Sequence, residues 1–196
     1  MKRILFLLFI AFMTLSGTAQ DNVDYTEDDL RFFYTTLQGD YISQVNDSTT
    51  MTLHLTPIWE QQDNLRWLYL EVTSNEGKDL VEQKVLEVVP VSSITFKVYV
   101  HGIRHPETFA GKWGNPNFFD GYNSSILKGK KRFMFFKTKD YEYQTNWNSR
   151  KSLKCFPRKD RIHFKFVKED ERLYIKRIPA KTTRIFGFTF FKDQTD

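Results

Sequence analysis

The sequence predicts a mainly β protein, a single antiparallel β-barrel with one short N-terminal helix. Period-two runs of apolar and polar residues recur from Tyr41 to Phe191, broken by turn residues. Phe, Tyr, Trp, Val and Ile are abundant while Gly numbers only 9, a balance that suits strands. No stretch after Leu37 repeats at helical spacing. Nine or ten short, meandering strands in one domain point to a closed or nearly closed barrel, with a sandwich as the second architecture.

Residues 1–19 have the pattern of an export signal: basic Lys2 and Arg3, apolar Ile4 to Met13, and small Gly17-Thr18-Ala19 before Gln20. The apolar run is too short to span a bilayer, so residues 20–196 are expected as one exported domain, periplasmic or extracellular, without a membrane span. Thr26-Glu27-Asp28-Asp29 resembles a capping box, and Leu30, Phe33, Tyr34 and Leu37 follow at helical spacing. Gly39 stands where a C-terminal cap would.

Expected strands follow in order. Tyr41–Val45 and Thr49–Leu55 flank the Asn46-Asp47-Ser48 turn, with Met51, Leu53 and Leu55 on one face. Leu65–Val72 lies between polar turns. It places Leu65, Trp67, Tyr69 and Glu71 on one face and Arg66, Leu68, Leu70 and Val72 on the other. Leu80–Val89 ends at Pro90, and Ile94–His101 alternates cleanly, with Ile94, Phe96, Val98 and Val100 together. Residues 102–125 are rich in Gly and Pro and form a long connection, with a helical turn near Phe118. Lys131–Lys137 and Tyr141–Trp147 make a hairpin, and Arg161–Val167, Arg172–Ile178 and Arg184–Phe191 complete the set.

Charge divides the chain. Residues 20–120 carry seven Lys/Arg against sixteen Asp/Glu, net −9, whereas residues 121–196 carry twenty against eight, net +12. Interleaving in one domain lets the halves neutralise each other. Lys128-Gly129-Lys130-Lys131-Arg132 with Phe133, Phe135 and Phe136 has the elements of a nucleic-acid contact. Export argues against that partner, and edge charges that block strand pairing account for the same pattern. The single Cys155 excludes an internal disulfide, and the four histidines show no ligand spacing on one element.

Barrels of this size hold one small ligand. The aromatic candidates for the interior are Trp59, Trp67, Tyr69, Tyr99, Trp113, Tyr141, Tyr143 and Trp147, with Glu71 and Gln83 sharing their faces. For Glu71, a cross-strand partner such as Lys84 or Gln83 stands against a role in holding a polar ligand group. A protein with a filled core, acting through its basic surface, is the competing function.

Five segments together resemble the CpeT/CpcT family of phycobiliprotein (bilin) lyases: Leu37-Gln38-Gly39-Asp40-Tyr41, Pro57-Ile58-Trp59, Trp67-Leu68-Tyr69-Leu70-Glu71, Gln83-Lys84-Val85 and Phe109-Ala110-Gly111-Lys112-Trp113. Gly129, Cys155 and Phe186-Gly187-Phe188-Thr189-Phe190 extend the similarity over nearly all of the exported chain. The family tends to have Pro-Tyr-Arg where this chain has Leu80-Val81-Glu82, and Gly-Cys where it has Gly129-Lys130. The resemblance implies a calycin-like (lipocalin-type) barrel, often a homodimer, that binds an open-chain tetrapyrrole and delivers it to an acceptor protein, a chromophore lyase activity. By the same resemblance Tyr69, Glu71 and Gln83 are the ligand-binding candidates, and basic residues at the mouth would meet the pigment's propionates.

Overall fold

Thr26 and Asp29 open the first helix by capping each other. The Thr26 hydroxyl accepts from the Asp29 amide at 3.1 Å, and the Asp29 carboxylate accepts from the Thr26 amide at 2.9 Å. This reciprocal box starts α1 (Glu27–Leu37), whose first turn is acidic at Glu27, Asp28 and Asp29, matching the positive end of the helix dipole. The computed structural model describes residues 25–46, 49–60, 66–74, 79–140, 142–145, 161–167, 172–178 and 186–192. The expected export signal (1–19), Tyr141, Trp147 and Cys155 lie outside these residues.

The backbone hydrogen bond from Thr26 holds the Asp29 carboxyl below its ordinary value of 3.8. A depressed folded value stabilises the fold above the unfolded value and loses that contribution as pH falls through the folded one. Asp29→Asn is therefore expected to lower the urea midpoint most above about pH 5, with the two proteins converging towards about pH 2. Parallel curves across that range would show that the carboxylate contributes nothing.

The other end of α1 differs from expectation. Gln38 closes the helix, its amide donating to the Thr35 carbonyl at 3.3 Å. The Tyr41 hydroxyl lies 3.0 and 3.2 Å from the Thr36 and Leu37 carbonyls, which would otherwise lack partners. Gly39 instead opens the first strand at φ +127°, a backbone conformation that L side chains rarely adopt, which is why glycine stands there.

Ten strands follow: β1 (Gly39–Asn46), β2 (Thr49–Ile58), β3 (Arg66–Ser74), β4 (Asp79–Ser92), β5 (Thr95–Ile103), β6 (Leu127–Lys139), β7 (Glu142–Thr145), β8 (Arg161–Val167), β9 (Arg172–Ile178) and β10 (Phe186–Lys192). Each pairs antiparallel with the next, and β1 pairs with β10, so the sheet closes and leaves no edge. β4 runs past Pro90, which sits where the register with β5 shifts, a position where a missing amide hydrogen is tolerated. The connection between β5 and β6 carries short 3-10 turns at Pro106–Thr108, Pro116–Gly121 and Ser124–Ile126.

Two apolar layers result. Inside the barrel, Leu30, Phe33 and Leu37 of α1 pack with inward residues such as Leu68, Val88, Phe96 and Phe135. The Phe33 ring stacks on Phe96 at 4.3 Å and meets Tyr143 edge-on at 4.8 Å, so α1 plugs one end of the barrel. Outside, Phe109 and Phe119 of the β5–β6 connection cover Ile58, Trp59, Trp67, Tyr69 and Val85. Among the described residues no helix is long and apolar enough to cross a membrane.

Candidate ligand-binding site

Alternation along β2 to β5 decides what faces inward. Leu53 and Leu55 of β2, Leu70 and Val72 of β3, Leu86 of β4, and Val98 and Val100 of β5 form an aliphatic wall. Phe133, Phe135, Phe164, Phe166 and Phe190 face it from β6, β8 and β10. Between them lies a cavity of about 350 Å³, bounded by Leu37 at the plugged end and reaching Met51 and Val81 towards the other. Such a volume is within the range of small-molecule sites.

Glu82 is the charged residue among those lining the cavity. It sits opposite Val72 in the β3–β4 register, which turns its side chain inward, and only 4% of it is exposed. The Lys84 ammonium pairs with its Oε1 and also donates to the Gln83 carbonyl at 3.0 Å. Lys84 lies opposite Leu70, so this pair occupies the interior face on the side away from α1. Lys131 stands opposite Val100 at the same end and is exposed.

Tyr69, Glu71 and Gln83 do come together, but on the outer wall. Glu71 lies opposite Gln83 in the register, and both face away from the cavity. The Tyr69 hydroxyl is 2.6 Å from Glu71 Oε2 and 2.9 Å from the Phe109 carbonyl, and it accepts from Gln83 Nε2 at 2.7 Å. The Gly111 amide donates to both Glu71 oxygens, at 3.2 and 3.0 Å. Gly111 has φ +71°, a conformation that glycine adopts without strain. The three side chains thus clasp the β5–β6 connection. Burial, then the hydrogen bond to Glu71 and its charge, push the Tyr69 phenol far above its usual range, so it remains a neutral donor.

The clasp extends beyond these residues. Trp59 holds the uncommon φ of 54° and donates from Nε1 to the Phe119 carbonyl at 2.6 Å. His54 Nδ1 is 2.8 Å from Asp40 Oδ1, and Trp113 stacks on the His54 ring at 3.7 Å. Segments 37–41, 57–59, 67–71, 83–85 and 109–113, which carry the family resemblance, all take part in this layer or border it.

These placements correct the expected interior. Of the described aromatic candidates Trp59, Trp67, Tyr69, Tyr99, Trp113 and Tyr143, Tyr143 joins the interior cluster, where burial pushes its phenol up to about 12. Trp59, Trp67 and Tyr69 belong to the outer layer, and Trp113 packs against that layer from the connection. Tyr99 lies outside under the Lys130 ammonium, 3.6 Å from its ring centre. The reason is coverage: the connection makes the outer face of β3 and β4 as apolar as the inner one, so parity alone does not distinguish them. Lys84 serves Glu82, not Glu71. Sequence reasoning missed Glu82 and the phenylalanine wall. The one-sided alternation of Met51-Leu53-Leu55 and Phe96-Val98-Val100 was the signal that gave the inward parity correctly.

Across the two charge halves, Lys130 pairs with Glu87 at 3.0 Å, and Glu87 also meets His101 at 2.9 Å. Lys128, Lys130, Lys131 and Arg132 are exposed along β6. No group of three or more metal-ligating side chains gathers among the described residues.

Neither known family models nor curated proteins match the chain. The chain is similar in structure to a solved protein described as the selenomethionine CRL protein of Arabidopsis, with a TM-score of 0.55 and 14% identity over 85% of this chain and 98% of that one. At that identity the likeness concerns the fold.

Proposed function

We infer that the protein is a binding protein that holds a small, predominantly apolar ligand inside the barrel. The observation that carries this is the cavity of about 350 Å³, walled by aliphatic and phenylalanine side chains with Glu82 at one end. An apolar space of that size offers a ligand dispersion contacts along its whole wall without asking it to bring polar groups. In keeping with the first 19 residues, the carrier acts after export, in the periplasm or outside the cell. The resemblance to CpeT/CpcT proteins supports a barrel that carries a flat chromophore and passes it to an acceptor protein. That part of the reading draws on the segments of the clasp rather than on the cavity.

A second reading rests on the exposed row Lys128, Lys130, Lys131 and Arg132 of β6: an interaction protein that meets an acidic partner. The two separate experimentally. Protein isolated from its own source should carry a bound mass in native mass spectrometry, and titration with biliverdin, haem or an apolar dye should give a saturable spectral shift. Filling the cavity with Val98→Phe should abolish the shift. A bare protein that shifts none of these probes would remove the carrier reading and leave the basic row as the functional surface.

A further inference from the structure

We propose that the ligand is an uncharged, hydrocarbon-like molecule of about fourteen non-hydrogen atoms, held whole inside the cavity. This rests on the binding-protein reading above and narrows it to a chemical class that excludes a tetrapyrrole. Volume sets the size. A cavity of about 150 Å³ takes up benzene, so about 350 Å³ holds roughly fourteen non-hydrogen atoms at the same packing. A straight-chain or bicyclic hydrocarbon skeleton reaches that number. An open-chain tetrapyrrole has roughly forty such atoms and would need about three times the space.

The wall resists widening to take the larger molecule. Its phenylalanines brace one another: Phe133 and Phe164 meet edge-on, their ring centres 5.4 Å apart, and Phe135 tilts against Phe166 at 5.9 Å. Behind them the ladder is closed, so no strand can swing outwards without breaking its hydrogen bonds to a neighbour. The volume belongs to the fold.

The chemistry of the wall sets the charge. Among the described residues that line the cavity, Glu82 is the one whose side chain carries a charge, a hydroxyl or an amide. Its Oε1 pairs with the Lys84 ammonium, so its charge is already answered within the protein. A ligand carboxylate would find no cation on the described wall and would approach a second carboxylate. A ligand ammonium would have to compete with Lys84 for Glu82. The pyrrole N–H groups, lactam oxygens and propionates of a tetrapyrrole would each need a partner once buried. A hydrocarbon asks for none, and its buried surface supplies the affinity.

The test loads the full exported chain with the uncharged dye 1-aminoanthracene, whose fluorescence should rise saturably, and then displaces it. Competitors are the 1-alkanols from hexanol to octadecanol, biliverdin, and 2-naphthalenemethanol beside the 2-naphthoate and 2-naphthylmethylammonium ions. Alkanol affinity should rise about fourfold per methylene and level off near thirteen carbons, as the cavity fills. The naphthalene alcohol should bind at least about tenfold tighter than either ion, because each ion would be buried without a partner. Val98→Phe adds about four carbons to the wall and should bring the plateau down by about as many, and Val100→Phe should do the same. If neither variant folds, the plateau in the unaltered protein decides the size by itself.

An ion that binds as tightly as the naphthalene alcohol would overturn the uncharged ligand. Affinity that keeps rising to octadecanol, or that ignores both filling variants, would overturn containment in the cavity. Displacement of the dye by biliverdin, lost in Val98→Phe, would overturn the size limit and keep the carrier. Failure of every probe would overturn both.

Discussion

Replacing Phe33 with alanine is expected to destabilise the protein by ~3–5 kcal/mol, the range for deleting a fully buried aromatic side chain. Phe33 has no exposed surface, stacks on Phe96 at 4.3 Å and touches Phe135 and Tyr143 at 5.6 and 4.8 Å between ring centres. α1 cannot collapse into the space left behind, because the Tyr34 hydroxyl donates to the Trp67 carbonyl at 3.1 Å and Tyr41 holds the helix end. The vacated volume adjoins the plugged end of the cavity. Denaturant unfolding should show the loss. The same variant should admit a bulkier cavity ligand, since the vacated space adjoins Leu37. A loss below about 1 kcal/mol would mean that α1 is not a structural plug.

Glu71→Gln is expected to cost ~2–4 kcal/mol, lowering the melting temperature by roughly 5–12 °C in a chain of this size. All of the carboxylate's contacts come from donors: the Tyr69 hydroxyl, the Gly111 amide and, at 3.4 Å, Gln83 Nε2. An ionised carboxylate only accepts, whereas a glutamine amide must point two N–H groups into this ring of donors. With 2% of Glu71 exposed, water cannot relieve the conflict. Hydrogen exchange should quicken at Gly111 and through the connection as the clasp loosens. Affinity for a ligand in the cavity should stay unchanged, because the side chain faces the opposite way. Lost binding with an unchanged melting temperature would instead make Glu71 a ligand contact.

The elements show why some features are legible in a sequence and others are not. α1 is written locally. Thr26 and Asp29 cap each other three residues apart, and the apolar stripe Leu30-Phe33-Tyr34-Leu37 needs no distant information. Strands β2 and β5 are equally explicit, since one face of each reads apolar. The expected β8 and β9 match in their bounds, because turn residues mark both ends. For β3 and β4 the pattern is ambiguous, with large apolar residues on both faces. Gly39 shows the same limit at a single residue. Its freedom to adopt φ +127° serves the start of β1 rather than a cap on the helix end beside it.

The sequence by itself pointed to a mainly β fold, the capped helix, the order of the strands and the division of charge, because each leaves a local mark in the chain: a cap, a period-two run, a turn or a run of like charges. Tertiary structure alone decided that β1 meets β10, that Phe109 and Gly111 settle onto Tyr69 and Glu71, and that Glu82 with Lys84 faces the cavity. A strand's period fixes which residues share a face. Only the chain that covers one side fixes which face is inside.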